Sequence, residues 1–406
     1  MKQIAMGLWA ITMAVGCSKA DHAPATTTND LPDVAAVDST PTLDSTTPID
    51  SPPPAVDDLA EILEPIRSKN ELPALAAAVF SGSTLRAIGA VGVRKLGDPT
   101  AVTRDDLFHL GSDTKAMTAT LAMLVFAEGK LSLATKLSDA FPAFAATMNA
   151  GYRDVTLKML LSHRGGAPGD VPADVWAEMW KPGASKDQRR VAVQTMLSRA
   201  PVNTPGTTYL YSNAGYMMVG AALEEATGVG WEQLITDRLF SPLGMSSCGF
   251  GAPATKGKVD QPWGHHLEAG KLTPVPPENG DNPPSLGPAG TVHCSLVDWG
   301  KFAALHLAGA RGEPTKLLST AEFTTLHTPW PGGDYALGWI VTHRSWGGGD
   351  GLVFTHSGSN TMFFATVWIA PAKNAFMLVA TNRGDDPPSG AAVDSVFGPL
   401  IDKYLK

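Results

Sequence analysis

Two groups of β-like runs stand at opposite ends of this chain, and that separation constrains the fold more than anything else in it. The first group is Leu75 to Phe80 and Leu85 to Val93, joined by Ser81-Gly82-Ser83-Thr84, which reads as an antiparallel hairpin. The second is Leu337 to Val341, Gly351 to Thr355, Phe363 to Ala370 and Ala375 to Thr381, leading to a helix from about Ala391 to Tyr404. Between them, roughly Thr118 to Ala308, lie helical periods and Pro/Gly loops. The expected class is α+β: an antiparallel sheet built from both chain ends and flanked by helices, with an inserted, mainly helical lobe at about 118–308. At 406 residues, 44% of them hydrophobic, the chain can bury a sizeable core as one large or two interleaved domains.

The folded part is expected to begin near Asp57-Asp58, where acidic residues precede an amphipathic helix, and to run over 58–406. Ahead of it, residues 1–17 read as Lys2, an apolar run from Ile4 to Val15, then Gly16-Cys17. The run is too short to span a membrane and fits a secretory signal. Its end, Ala14-Val15-Gly16-Cys17, resembles the bacterial lipoprotein box, in which the cysteine is lipidated, with Ala14 where Leu is usual. A plain signal peptide with an incidental Cys17 is the alternative. Residues 18–57 are rich in Thr, Pro, Ser, Asp and Ala and cannot bury enough apolar area to offset chain entropy, so they read as a disordered tether. Between Lys19 and Asp58 eight Asp face one Lys, giving that stretch −7 of the net −8. With +1 from Lys2, the remainder is −2, a nearly neutral body with no electrostatic footprint for nucleic acid. The expected location is an exported one, periplasm or cell surface, with the membrane touched only through the N-terminal anchor.

The candidate chemistry starts at Phe108-His109-Leu110-Gly111-Ser112-Asp113-Thr114-Lys115, which runs into a stretch without charge up to Ala127. A helix starting here stacks Ser112 and Lys115 on one face. Ser112 as an N-cap is the plain structural reading. Lys115 argues against it, because a capping box wants Glu or Gln three residues on, and a cation in the first turn opposes the helix dipole. Burial and the positive helix end would both disfavour an ammonium, lowering the Lys115 pKa until it can take a proton from Ser112.

Two further segments supply partners. In Tyr211-Ser212-Asn213, after a Pro205-Gly206 turn, a neighbouring ammonium would favour phenolate at Tyr211 and let it shuttle the serine proton, while Asn213 offers an amide donor and acceptor to a substrate. In His356-Ser357-Gly358-Ser359, Gly358 lets a substrate backbone lie close to a strand edge. Each segment taken alone also suits a buried loop or a turn between strands.

In this order the three segments resemble the serine hydrolases related to class C beta-lactamases and the DD-peptidases that bind penicillin, whose sequence carries Ser-x-x-Lys, Tyr-x-Asn and a Lys-Thr-Gly-like triplet. Val155 to His163, Leu243-Gly244-Met245 and Pro288-Ala289-Gly290-Thr291 followed by Asp298 look similar too, and the resemblance covers about residues 58 to 406. It implies Ser112 as acylated nucleophile, Lys115 and Tyr211 as its acid–base pair, the Ser112 and Ser359 N–H groups as oxyanion hole, and Asn213 on the acyl side chain. His356 stands where class C beta-lactamases have Lys, as in some DD-peptidases, aminopeptidases and esterases of the wider family, so a peptidase or esterase ranks above an efficient beta-lactamase.

Other chemistries lack their motifs. There is no Gly-x-Ser-x-Gly, the nearest approach Gly244-Met245-Ser246-Ser247-Cys248 failing at its last position. There is no His-Glu-x-x-His or paired Cys-x-x-Cys, and His265-His266, on opposite sides of a strand, make a poor metal pair and read as solvent-facing loop residues. No cofactor or metal is expected, and the partner is a small-molecule or peptide amide or ester. Cys248 and Cys294 are either a disulfide, worth on the order of 3–4 kcal/mol in the chain-entropy model, or two buried thiols. The rival function is a non-catalytic penicillin-binding or sensor lipoprotein with the same fold.

Overall fold

The computed structural model describes residues 55–385 and 387–406. The leader with Cys17 and almost all of the tether lie outside the described residues.

A seven-stranded sheet joins the two ends of the chain. Its strands are β1 (Asp57–Asp58), β2 (Ala74–Ser81), β3 (Thr84–Gly92) and, from the C-terminal part, strands at Ile340–His343, Leu352–Ser359, Phe364–Ala370 and Ala375–Thr381. Among the described residues two smaller sheets hold β4 (Leu107–His109), β5 (Gly249–Phe250), β6 (Gly264–Glu268), β7 (Lys271–Val275) and β8 (Val292–Ser295), so the four C-terminal strands become β9 to β12. The order in the large sheet is β1-β3-β2-β12-β11-β10-β9, antiparallel except for β1 on β3. The expected α+β arrangement is present. The short parallel β1 is an addition to it.

Both faces of this sheet are covered, which is why its strands read as unbroken apolar runs instead of alternating ones. On one face Leu75, Ala77 and Val79 of β2 and Met377 and Val379 of β12 pack under α1 (Ala60–Lys69) and the C-terminal helix Pro388–Tyr404. On the other, Ala76, Ala78, Phe80, Phe376 and Leu378 join the core of the lobe.

The lobe is organised on α2 (Thr114–Phe126), buried almost all round, as its lack of charge requires. Around it or nearby lie α3 (Ser185–Leu197), α4 (Asn213–Thr227) and α5 (Leu296–Ala310). α4 ends on Gly228 in the left-handed conformation, a conformation that costs glycine no Cβ strain. The lobe is not wholly helical, since β5 to β8 fall within its sequence span.

One expectation fails in β6. His265 is buried, not solvent-facing: its Nδ1 lies 2.8 Å from the Asn382 carbonyl oxygen and its Nε2 accepts from Leu96 N–H at 3.1 Å. Burial lowers its pKa to about 4, so it is a neutral structural bridge between the C-terminal strands and the loop at Leu96. Among the described residues no helix is long and apolar enough to cross a membrane, and no group of three or more His, Cys, Asp or Glu is placed to hold a metal ion.

Candidate active site

Ser112 lies on a tight connection between sheet and helix. β4 pairs with β8, Phe108 opposite Cys294, and the Leu110 N–H donates to Val292 O at 2.8 Å. The chain then makes a single 3-10 turn, Gly111–Asp113, and enters α2. Gly111 has φ +50°, and a Cβ there would strike the backbone nitrogen of Ser359. A Cβ on Gly358 would fall on the Leu110 carbonyl and 2.5 Å from Ser112 N. Two glycines thus let β10 lie against the Ser112 turn, bringing the Ser112 and Ser359 N–H groups to one seam. Cys248 and Cys294 are bonded, Cα atoms 4.2 Å apart, which ties β8 to the residue just before β5.

The Ser112 side chain makes no capping bond to α2, so the structural alternative for it is gone. Lys115, fully buried, points its Nζ at Ser112 Oγ (2.9 Å), Asn213 Oδ1 (2.7 Å) and the Ala289 carbonyl oxygen (2.7 Å). Burial lowers its pKa to about 7, against the pull of Asp170 and Asp113. The neutral amine suits this cage. Its two N–H groups serve the two oxygens that can only accept, and its lone pair is left facing Ser112, whose hydroxyl can donate.

Asn213 opens α4, whose N-cap Ser212 accepts from Gly215 N–H at 2.8 Å and whose own N–H donates to His163 Nδ1 at 3.0 Å. The Asn213 amide nitrogen donates to Asp170 Oδ1 at 2.9 Å, which fixes the amide so that its oxygen faces Lys115. Tyr211 presents its ring 4.8 Å from Lys115 Nζ. Its expected drift toward phenolate is overturned. Desolvation raises the Tyr211 pKa far above 10, outweighing the Ser112 hydroxyl that favours ionisation. The reason is that the phenol oxygen is out of water, where its charged form loses more than its neighbours restore. Tyr211 is a protonated donor here.

His356 is also settled by burial. Its Nδ1 donates to Ser357 O at 2.8 Å and its Nε2 accepts from the Tyr335 hydroxyl at 3.1 Å. Desolvation and Lys115 lower its pKa to about 3, so it is neutral. Three groups escape the sequence reading of roles. Tyr335 orients His356, and His163, at φ +59°, stacks among Tyr211, Tyr216 and Tyr335 with ring centroids 4.3–5.2 Å away. Asp113 is buried beside Ser112 with no hydrogen-bond partner for either carboxyl oxygen among the described residues, and burial raises its pKa well above the usual range. Only His163 had a sequence signal, as the last residue of the Val155 run.

A family profile described as Beta-lactamase matches residues 59–395. The chain belongs to the Beta-lactamase family. Penicillin-binding protein 4 of Amycolatopsis lactamdurans is 30% identical over 334 residues, 80% of this chain and 84% of its own length. The unguisins hydrolase ungD' of Aspergillus campestris is 28% identical over 370 residues, 88% of this chain and 66% of that protein. A putative D-alanyl-D-alanine carboxypeptidase of Escherichia coli matches 39% of the chain and 37% of its own length at 29% identity. Among solved structures, an octameric penicillin-binding protein homologue from Pyrococcus abyssi shares the fold with TM-score 0.68 at 22% identity, over 86% of this chain and 78% of that one. For this Beta-lactamase family member, function at the level of the family is that of a serine hydrolase.

Proposed function

We propose that Ser112 attacks an amide or ester carbonyl, is acylated, and is freed by water. The supporting observation is the cage around Lys115, which leaves a neutral amine with one lone pair, aimed at Ser112 Oγ. As Ser112 Oγ bonds to the carbonyl carbon, its proton passes to Lys115 and the carbonyl electrons move onto the oxygen, held by the Ser112 and Ser359 N–H groups. Collapse expels the amine or alcohol, which takes a proton from Tyr211, and Lys115 ammonium restores the Tyr211 phenol. Water then repeats the attack in reverse roles, losing a proton to Lys115 and leaving a free acid and Ser112 hydroxyl. Asn213 holds the acyl side chain.

A neutral His356 gives no ionic grip to a substrate carboxylate, so a peptide or ester is favoured over an efficiently hydrolysed beta-lactam. Purified protein is expected to label with a fluorophosphonate, to turn over a p-nitrophenyl ester faster than a chromogenic cephalosporin, and to lose both activities in Ser112→Ala. Labelling without any turnover would instead favour the sensor reading. The same proposal has Cys17 lipidated after export, and a fatty-acid label that persists in Cys17→Ala would overturn that part.

A further inference from the structure

The two N–H donors of the oxyanion seam sit on segments far apart in sequence, Ser112 after β4 and Ser359 at the end of β10, and no covalent link sets their spacing. We propose that Asp281 sets it, holding the Ser112 segment through His109 and the Ser359 segment through Asn360, as a positioning group for the hydrolysis proposed above, on which this inference rests.

His109, the last residue of β4, is fully buried. The Gly111 N–H donates to its Nδ1 at 3.0 Å, which assigns that nitrogen as acceptor and puts the proton of the neutral ring on Nε2. Nε2 lies 2.9 Å from Asp281 Oδ1, with its N–H directed off the line to that oxygen, and the buried Oδ2 beside it has no partner among the described residues. A carboxylate with a free oxygen next to a buried N–H has strong reason to stay there. On the other side, the Asn360 amide nitrogen approaches Asp281 Oδ1 at 3.3 Å and donates to the Gly280 carbonyl oxygen at 3.1 Å. Asn360 is itself buried, and its Oδ1 accepts from the Met362 and Phe363 N–H groups at 3.1 and 2.9 Å, so it is rigid in the turn that follows Ser359. The Asn282 N–H on Asp281 Oδ1 at 2.7 Å completes the local ring.

The consequence is geometric. His109 holds the amide of Gly111, the residue before one donor, and Asn360 directly follows the other, so one carboxylate spans the seam from behind. Oxyanion donors act from about 2.7–3.1 Å, and they act well only when held within about 0.5 Å of that productive position.

The test uses Asp281→Ala, Asn360→Ala and His109→Asn, the last keeping an acceptor for Gly111 N–H while giving up Nε2. Steady-state kinetics with a p-nitrophenyl ester, the rate ratio of an oxo ester to its thiono analogue, and thermal melts are measured on each. Fluorophosphonate labelling of the wild type is the control for the nucleophile itself. If it fails, the hydrolase reading fails and not this one. Asp281→Ala is expected to lower kcat about tenfold, less than the roughly 10²–10³ for losing a donor outright. KM should move less than the kcat, the oxo/thiono ratio should fall, and His109→Asn should add little to Asp281→Ala. An unchanged oxo/thiono ratio in all three variants, or losses in Asp281→Ala and His109→Asn that simply multiply, would overturn the proposal. If Asp281→Ala does not fold, Asp281→Asn is read in the same way.

Discussion

Arg189 and Lys115 are both fully buried cations in the same lobe, yet their surroundings are built to opposite ends. Arg189 meets Glu224, Glu232 at 2.6 Å, and the carbonyl oxygens of Ser285 at 2.8 Å and Pro284 at 3.4 Å, so its donors are matched with acceptors on α4, the short helix Trp231–Ile235 and the 3-10 turn Pro284–Leu286. Around Lys115 the charges do not match: Asp113 has no hydrogen-bond partner among the described residues, His163 and His356 are neutral, and the amine sits near its own titration point. A guanidinium keeps its proton at any ordinary pH, whereas a desolvated amine gives it up. The lobe places the first where a charge is held by two carboxylates and the second where, in the hydrolysis proposed above, a proton moves.

The largest effect that tests this contrast is expected from Lys115→Met, which should cut ester turnover by roughly 10³–10⁴ without lowering the urea midpoint. Loss of stability together with activity would place Lys115 on the structural side of the comparison. Arg189→Met should do the reverse, leaving Glu224 and Glu232 buried and unpaired and destabilising the fold by about 3–5 kcal/mol in denaturant melts, with kcat of the folded fraction near wild type.

The pH dependence is a finer probe. Because only neutral Lys115 accepts a proton, turnover should rise with pH through about 7 and fall about tenfold per unit below it. On stability the two neighbours act in opposite directions. Lys115 in the unfolded chain holds its proton up to 10.5 but in the fold only to about 7, so its term rises with pH between those values. Asp113 is protonated in the fold at pH values where the unfolded chain, at 3.8, is already ionised, so its term falls as pH rises above about 4. The smallest expected effect follows from that sign: Asp113→Asn should stabilise by about 1–2 kcal/mol at pH 8 and by nothing near pH 4. Equal melts at both pH values would show Asp113 ionised in the fold.

The parts of this molecule that sequence exposes are those set by local pattern. Strands β2, β3, β10, β11 and β12 and helix α2 declare themselves because buried runs of Val, Ile, Leu and Ala need no context, while β9 starts at Ile340, later than the run from Leu337 suggests; Ser112, Lys115, Tyr211, Asn213, Gly358 and Ser359 do come together. What stayed hidden depends on desolvation, a property of the assembled fold. Tyr211 reads as ionising beside an ammonium, but its phenol is out of water, and burial outweighs the Ser112 hydrogen bond that favours ionisation. His265 reads as exposed until Asn382 and Leu96, both far from it in sequence, are seen around it. The roles of Asp281 and Asn360 likewise rest on contacts that no spacing encodes.

The pairing of β2 with β12 has a bearing on how the molecule comes into being. Ala375 lies opposite Ser81 and Thr381 opposite Leu75, partners about three hundred residues apart, so the middle of the large sheet cannot close until residues 375–381 have been made. The turn that carries Ser112 leans on β10, from the same segment. A chain that has not yet made β10 therefore holds Ser112 and Lys115 without the strand that packs against them, and the site is assembled only when that strand docks.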